Sequence, residues 1–354
     1  MRNIFYSLLL ISFSSQANNW FPLTVDVWTP PFNEDLQRQE QSFTPLKKAE
    51  KPWKICAAIP HLKDAYWLAV NFSLVDEAKR LGLRMRIKEA GGYGRLQVQR
   101  KQIIDCMDSG ADALLLSSVN NEGLSDLVDR YTEQGRPVID MINWVNAKNI
   151  TGRAAATYWD NGNLAGEYLV KRLEGAPANI LWLPGPKGVG WSIAANRGFN
   201  DAIEDSNIKV LETLWGDTGR EIQAKLLNQA MKRHSKIDYI VGAAVAIEAA
   251  LSITTRQGRS GSTEFISFYY GPGVHRTIAR GKVLAAVTDK QVLQTKIAVD
   301  MAVRALEKKL INKHIAPKVE VVTQSNIRVF DRNTSLPPKG FRPVFSVNDW
   351  IRGE

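Results

Sequence analysis

The chain has 354 residues, of which 44% are apolar and 23% are charged. This length and balance describe a folded globular chain with room for two hydrophobic cores, and they exclude a disordered, collagen-like or multi-span membrane protein. Lysine and arginine number 46 against 36 aspartates and glutamates, which gives a net charge of +10, but the basic residues are scattered along the chain. Because no basic cluster stands out, we expect no nucleic-acid partner.

Residues 1–17 have the pattern of a secretory signal peptide. A basic residue, Arg2, precedes an apolar run over residues 4–13, and the small residues Ser15 and Ala17 follow. This arrangement predicts cleavage after Ala17 and a mature protein in the periplasm. No later segment has the roughly 18 uncharged apolar residues that a membrane helix needs.

Beyond this point the sequence divides into a leader and two α/β halves. Residues 18–50 are polar and punctuated by proline, which predicts an extended leader lying on the body. From residue 51, apolar strands such as KICAAIP alternate with segments of helical periodicity, and a second series of the same kind follows. Such alternation predicts parallel sheets covered on both faces by helices.

We therefore predict an α/β fold of two lobes, each a doubly wound parallel sheet, with a ligand cleft at the carboxyl ends of the strands. Residues 51–151 with about 290–322 are assigned to the amino-terminal lobe. Residues 152–289 with about 323–345 are assigned to the carboxyl-terminal lobe.

The two cysteines, Cys56 and Cys106, are candidates for one disulfide, as expected of an exported chain. Cys56 lies in the first core strand and Cys106 in the second helix. In a sheet of strand order 2-1-3, the crossover from strand two to strand three packs that helix over strand one. The alternative is two buried thiols. We expect no metal site and no cofactor, because the cysteines and the dispersed histidines show no ligand spacing; those histidines are His61, His234, His275 and His314.

Aromatic residues are concentrated where the predicted strands end. Asp64, Tyr66 and Trp67 follow strand one, Tyr93 follows strand two, and the pairs Tyr158–Trp159 and Tyr269–Tyr270 stand at similar positions in the second half. Aromatic faces attract a methylated, positively charged nitrogen. A sugar site would also need many planar hydrogen-bonding groups, and here the polar complement is thin: its main members are Asp64, Asp160, Asn161 and Asp289.

No sequence motif predicts catalysis. The string GPKGVGWS follows a strand but lacks the residue order of a phosphate-binding loop, and no GxSxG motif occurs. We expect a binding protein rather than an enzyme. Residues 185–190 are interpreted as a flexible loop at the cleft edge or facing a partner, with Trp191 beside it as an exposed contact residue.

Several strings together resemble the TorT family of periplasmic trimethylamine N-oxide binding proteins. They are PWKICAAIPHLKDAYWLAVNF, EAGGYGRLQVQ, IIDCMDSGADALLLSS, LPGP, SFYY, TDKQVLQ and PPKGFRPVF, which span roughly residues 45–345. The resemblance implies a type I periplasmic binding protein fold, related to ribose-binding proteins. It also implies a non-enzymatic sensor that acts on the periplasmic domain of the membrane histidine kinase TorS.

The resemblance further implies an aromatic box around a trimethylammonium group. Its members would be Tyr66 or Trp67, Tyr93, Trp159 and Tyr269, with Asp64 as the carboxylate beside them. The neighbours Tyr158 and Tyr270 are alternatives at two of these positions, and Asp289 and Trp144 are further candidates. The wider family leaves open a binding protein for a sugar or an autoinducer, in transport or in signalling.

Overall fold

The computed structural model describes residues 21–33, 38–258 and 261–350. The predicted signal peptide and its cleavage point after Ala17 lie outside these ranges.

The strands, in chain order, are β1 Leu23–Trp28, β2 Arg38–Phe43, β3 Lys54–Ile59, β4 Arg84–Glu89, β5 Ala113–Leu116, β6 Val138–Met141, β7 Gly152–Ala154, β8 Ala178–Gly185, β9 Ile208–Trp215, β10 Tyr239–Gly242, β11 Glu264–Ser267, β12 Ala285–Thr288, β13 His314–Pro317, β14 Glu320–Thr323 and β15 Ser346–Val347.

Helices alternate with these strands. They are α1 Ala65–Leu81, α2 Leu96–Asp108, α3 Ser125–Glu133, α4 Tyr158–Leu173, α5 Gly190–Ile203, α6 Arg220–Arg233, α7 Ala244–Arg256, α8 Pro272–Ala279 and α9 Gln291–Leu306, with a short 3₁₀ turn at Arg332–Thr334. None of the helices in the described ranges is both long enough and apolar enough to cross a membrane.

The strands form two sheets, one in each lobe. The first has the order β15-β4-β3-β5-β6-β7-β13-β1-β2, and the second has the order β14-β12-β11-β10-β8-β9. From β4 to β13 the neighbours of the first sheet are parallel, as are those from β9 to β12 in the second. The predicted fold of two lobes with parallel sheets is confirmed, including the 2-1-3 order of the first three core strands.

The sulfurs of Cys56 in β3 and Cys106 in α2 are joined in a disulfide, with their Cα atoms 5.9 Å apart. Both residues are buried in a core cluster between the first sheet and helices α2 and α3. The crossover that carries α2 over β3 therefore brings the two cysteines together as predicted.

Residues 21–50 contain more regular structure than the predicted extended leader. Strands β1 and β2 pair antiparallel, from Leu23 opposite Phe43 to Trp28 opposite Arg38, and β1 pairs with β13. The hairpin therefore extends the first sheet at one edge. Its buried face is anchored by Trp28, whose ring stacks on His314 at a centroid distance of 4.0 Å.

The lobe boundaries in the structure differ from the predicted ones by a few residues. β7 at Gly152–Ala154 pairs within the first sheet, so the chain crosses to the second lobe after residue 154 rather than 151. β14 at Glu320–Thr323 pairs with β12 of the second sheet, so the second crossing lies before residue 320 rather than near 322. The chain returns to the first sheet at β15, which pairs with β4. β7 and β14 are both short, and the strands that each pairs with decide which lobe it joins.

Candidate ligand-binding site

The loops that follow the strands meet between the lobes and enclose a cavity. Because the carboxyl ends of parallel strands share one edge of a sheet, these loops converge although they are distant in sequence. The unoccupied space, its mouth included, is about 260 Å³. The lining residues are Asp64, Tyr66, Trp67, Tyr93, Tyr158, Trp191, Thr218 and Tyr269.

Asp64 caps helix α1 and so fixes two of the rings. Its carboxylate accepts hydrogen bonds from the backbone N–H groups of Tyr66 and Trp67, at 3.1 and 3.2 Å, the usual role of an aspartate at a helix N-cap. Burial raises the pKa of Asp64 to about 6, although these two N–H groups favour the ionised form. The cap therefore holds one carboxyl group and two aromatic side chains at the same point of the cavity wall.

Six aromatic rings form a continuous wall. Tyr66 lies 5.7 Å from Trp67 and 5.6 Å from Tyr269, measured between ring centroids. On the other side, Trp191 lies 5.5 Å from Tyr158, 5.9 Å from Tyr93 and 6.4 Å from Tyr269. These separations are in the range of aromatic pairs that pack edge to face or offset. The cavity is therefore rich in ring faces, with few charged groups.

The phenol groups of the wall are protonated, since burial raises the pKa of each of them above the usual value. Three are held by hydrogen bonds: Tyr66 donates to Oδ2 of Asp289 at 2.6 Å, Tyr158 donates to the hydroxyl oxygen of Tyr66 at 3.4 Å, and Tyr93 accepts from Nδ2 of Asn143 at 3.2 Å. Asp289 lies behind Tyr66 rather than on the cavity wall, and burial raises its pKa to about 6.

Two aromatic side chains of the wall carry a buried hydrogen-bond donor that has no partner in the described part of the chain. The two donors are the hydroxyl of Tyr269 and the indole N–H of Trp191. An unsatisfied buried polar group costs roughly 1–3 kcal/mol, and such a cost is recovered if a ligand supplies an acceptor. The two donors therefore indicate a ligand that carries a hydrogen-bond-accepting atom.

The predicted box residue Trp159 does not line the cavity. Its indole N–H donates to Oδ2 of Asp201 on helix α5 at 2.6 Å. Tyr158, the preceding residue and the alternative, lines the cavity instead. Successive residues of a helix point about 100° apart, so only one of the two can face the site. The further candidate Trp144 is also elsewhere, with its ring 5.4 Å from the guanidinium carbon of Arg153.

Trp191 is buried in the cavity wall rather than exposed, which corrects the expectation from sequence. Gly185 makes this placement possible: its φ of +118° is accessible mainly to glycine, and a Cβ atom there would lie 2.4 Å from the indole ring. Thr218, which follows β9, was also missed. The glycine-rich string before Trp191 is the sequence feature that could have indicated this placement, but it is equally typical of a surface loop.

Among the described residues no group of three or more histidine, cysteine or acidic side chains is arranged to hold a metal ion. His61, which packs edge-on against Trp67 and Tyr93 at 5.8 and 5.2 Å, has its pKa lowered by burial to about 4. It is therefore neutral at physiological pH and contributes to the support of the rings.

Residues 55–310 match the family model described as periplasmic binding protein domain. The chain belongs to the periplasmic binding protein family. It is also 37% identical over 307 residues to the periplasmic protein TorT of Escherichia coli K12, a match that covers 86% of this chain and 87% of that protein. The resemblance to the TorT family is thereby confirmed.

Two solved structures are especially similar. One is a solute-binding protein of an ABC transporter from Bradyrhizobium sp. BTAi1 with bound Bis-Tris, at 42% identity and a TM-score of 0.82, covering 92% of this chain and 98% of that one. The other is the complex of the TorS sensor domain with TorT in the presence of trimethylamine N-oxide, at 34% identity and a TM-score of 0.76, covering 83% and 99%.

Proposed function

We propose that this protein is a periplasmic sensor that binds trimethylamine N-oxide in the aromatic cavity and regulates the membrane histidine kinase TorS. The observation that carries the proposal is the combination of six ring faces, one carboxyl group and two unpartnered donors on aromatic side chains around a small cavity. TorT, the relative at 37% identity, and the TorS–TorT complex with trimethylamine N-oxide support the ligand and the partner.

The chemistry of the ligand matches each part of this wall. Its nitrogen carries a positive charge and three methyl groups, which suit ring faces at roughly 0.5–2 kcal/mol per contact. Asp64 supplies a negative charge beside those rings. The oxide accepts hydrogen bonds, and the hydroxyl of Tyr269 and the indole N–H of Trp191 are the donors in need of an acceptor. Three or four ring contacts sum to about 2–8 kcal/mol before the cost of association, which suits an affinity between about millimolar and micromolar.

The proposed activity is reversible binding without turnover. The cavity wall contains protonated phenols, two indoles, a threonine and one carboxyl group, and none of these is paired with a histidine or lysine that would activate it as a nucleophile. A sugar or an autoinducer as ligand is less well supported, because polyols need more planar hydrogen-bonding groups than this wall offers.

A second candidate function is solute capture for an ABC transporter. The Bradyrhizobium relative, at 42% identity, favours it. Its bound Bis-Tris is a tertiary amine with hydroxyl groups, so both candidates imply a ligand with a substituted nitrogen. They differ in the protein partner, which is a kinase in one case and a permease in the other.

The ligand is tested by calorimetric titration of the mature protein with trimethylamine N-oxide, alone and with the TorS sensor domain, against tetramethylammonium and ribose as comparison ligands. Tyr269→Phe keeps the ring and removes the unpartnered hydroxyl, so we expect it to weaken binding of the N-oxide about 5- to 30-fold and to leave tetramethylammonium unaffected.

The matched control is Tyr270→Phe, because the hydroxyl of Tyr270 contacts Nδ1 of His275 at 2.7 Å outside the cavity. It should leave both affinities unchanged. Binding heat from ribose, together with no binding heat from the N-oxide with or without the TorS sensor domain, would contradict the proposed ligand. Equal effects of the two tyrosine substitutions would contradict the proposed orientation of the oxide.

A further inference from the structure

A second concave surface crosses both lobes on the outside of the molecule. We call it the basic groove. It encloses about 1430 Å³ of space, open solvent included, between the first turn of α1, helix α8 and the chain that follows the 3₁₀ turn. The residues that matter for the argument are Leu68, Arg276, Arg280, Arg332, Lys339 and Phe341.

The charged residues that line the groove are all basic. Arg276 and Arg280 stand four residues apart at the end of α8, on one side of the helix. With Arg332 and Lys339 they make four cations, and no aspartate or glutamate in the described ranges lines the groove. Across the described ranges none of the four forms an ion pair within 4.0 Å, although arginine and lysine elsewhere in the chain commonly do.

Two carboxylates near the groove also have other partners. Burial raises the pKa of Glu248, and this rise is opposed first by the charges of Arg276 and Arg220 and then by the backbone N–H groups of Gly273 and Val274 at the start of α8. Glu320 pairs with Lys290 at 3.2 Å. The pKa of His275, which also lines the groove, is lowered by burial and by the positive charges of Arg332 and Arg276. Glu248 therefore offsets part of the charge of Arg276, whereas no carboxylate among the described residues pairs within 4.0 Å with Arg280, Arg332 or Lys339.

Apolar surface lies beside the charges. Leu68 contributes from α1, and Phe341 contributes from the carboxyl-terminal segment, where its ring packs edge-on against Phe72 at 5.4 Å. A concave surface with an apolar part and a rim of unpaired cations fits a protein segment with acidic side chains around an apolar anchor.

The groove and the ligand cavity share two structural elements. Ala65 lines the groove, while its neighbours Asp64 and Tyr66 line the cavity. On the other lobe, Tyr269 lines the cavity three residues before Pro272, which lines the groove. Because each wall belongs to a different lobe, any change in lobe spacing on ligand binding changes the width of the groove. Ligand affinity and partner affinity are then linked, as coupling between two sites requires.

We propose that the basic groove is the surface on which an acidic segment of the kinase sensor domain docks. This inference rests on the proposed function, since it assigns the surface for the partner named there. It commits to an acidic protein segment, and an anionic membrane surface is the alternative that the experiment separates.

The test measures binding of the TorS sensor domain to the mature protein at about 0.15 M salt. The variant carries Arg276→Glu, Arg280→Glu and Lys339→Glu. An exposed ion pair contributes about 1.4- to 5-fold to affinity, so the loss of three pairs should raise Kd about 3- to 100-fold, and the added repulsion should raise it further. The salt dependence of Kd should also become weaker than that of the unchanged protein.

The matched control reverses three exposed lysines near the opposite edge of the second sheet, Lys209→Glu, Lys225→Glu and Lys232→Glu. It has the same net charge and should retain the original Kd. Ala279→Glu is a second variant that keeps every cation: Ala279 is exposed in the groove, and the new carboxylate would repel an acidic partner. It should weaken binding about two- to fivefold.

Separate outcomes identify which idea fails. The groove assignment would be overturned if the groove variants bound the sensor domain with the same Kd as the unchanged protein. It would also be overturned if the lysine control weakened binding as much as the triple groove variant does. The absence of any complex with the unchanged protein would overturn it as well. Binding to vesicles containing anionic lipid, lost in the triple groove variant while the sensor domain still binds, would assign the groove to a membrane surface instead. Titration of each variant with trimethylamine N-oxide reports the proposed ligand independently of these results.

Discussion

The neighbouring residues Tyr158 and Trp159 offer a sharp test of the aromatic cavity. Both stand in the first turn of α4, but only Tyr158 lines the cavity, whereas Trp159 is hydrogen-bonded to Asp201. Tyr158→Leu removes one ring face from the wall and keeps an apolar side chain in its place. Trp159→Leu removes a larger ring at the adjacent position, which makes it a matched control.

The expected magnitude follows from one lost ring contact. A cation in contact with an aromatic face gains roughly 0.5–2 kcal/mol, so Tyr158→Leu should raise the Kd for trimethylamine N-oxide about 2- to 30-fold. Trp159→Leu should leave Kd within about twofold of the original value. Calorimetric titration of each variant measures the effect, and thermal unfolding in the absence of ligand shows whether both variants fold.

The opposite pattern would refute the reasoning. If Trp159→Leu weakened binding and Tyr158→Leu did not, the ligand would lie outside the cavity described above. An unchanged Kd in both folded variants would mean that ring faces at this position contribute nothing to recognition.

Three further predictions concern charge and stability. Because the pKa of ligand-free Asp64 is about 6 and a cationic nitrogen favours the ionised carboxylate, the affinity for trimethylamine N-oxide should fall as pH drops below about 6 and stay level above it, as titration at several pH values will show. Replacement of Cys56 and Cys106 by serine removes a disulfide between residues that are 50 positions apart. Unfolding in urea should therefore show a free energy of unfolding that is lower by about 4 kcal/mol. Arg38→Ala removes the ion pair with Asp160 on α4, in which the closest atoms are 2.7 Å apart. The same assay should show a free energy of unfolding that is lower by about 1–2 kcal/mol.

Each of these predictions has its own control. Asp64→Asn keeps a good N-cap residue and should abolish the pH dependence; a persistent dependence would assign it to another group. The unchanged protein treated with a reductant should match the serine variant in stability, and a difference of less than about 1 kcal/mol from the oxidised protein would contradict the loop argument. Lys318→Ala removes an exposed ion pair with Glu40 of the hairpin and should lower the free energy of unfolding by less than about 0.5 kcal/mol. An equally small decrease for Arg38→Ala would contradict the role of Arg38 in joining the hairpin to α4.

Sequence patterns predict the fold well because the strands are short apolar runs and the helices end at glycines such as Gly82, which adopts a left-handed conformation at the end of α1. They also predict which loops meet, since parallel strands share a carboxyl edge. Asp64, Tyr66, Trp67, Tyr93 and Tyr269 all line the cavity for that reason.

The exact face of a helix is harder to predict. The rotation of α4 is set by its close packing on α5, where a Cβ atom on Gly162 would lie 2.0 Å from the backbone oxygen of Ala195, and one on Gly198 equally close to the oxygen of Trp159. Contacts between residues more than 30 positions apart therefore decide that Tyr158 faces the ligand. No local pattern in the sequence carries this information.

The amino-terminal hairpin was missed for a different reason. Leu23, Val25 and Val27 alternate with more polar residues as a strand should, but β2 is polar and mostly exposed. Its stability comes from pairing with β1 and from the contact between Trp28 and His314. That partner lies almost 300 residues further along the chain, so the segment reads as an irregular leader when it is considered alone.

The most direct test of the central claim is a crystal structure of the mature protein with trimethylamine N-oxide bound. The account predicts the ligand nitrogen within about 6 Å of the ring centroids of Tyr66, Trp67 and Tyr158, with the oxide within about 3.2 Å of the Tyr269 hydroxyl or the Trp191 indole nitrogen. A ligand found outside this cavity, or one whose oxide is directed away from both donors, would contradict it.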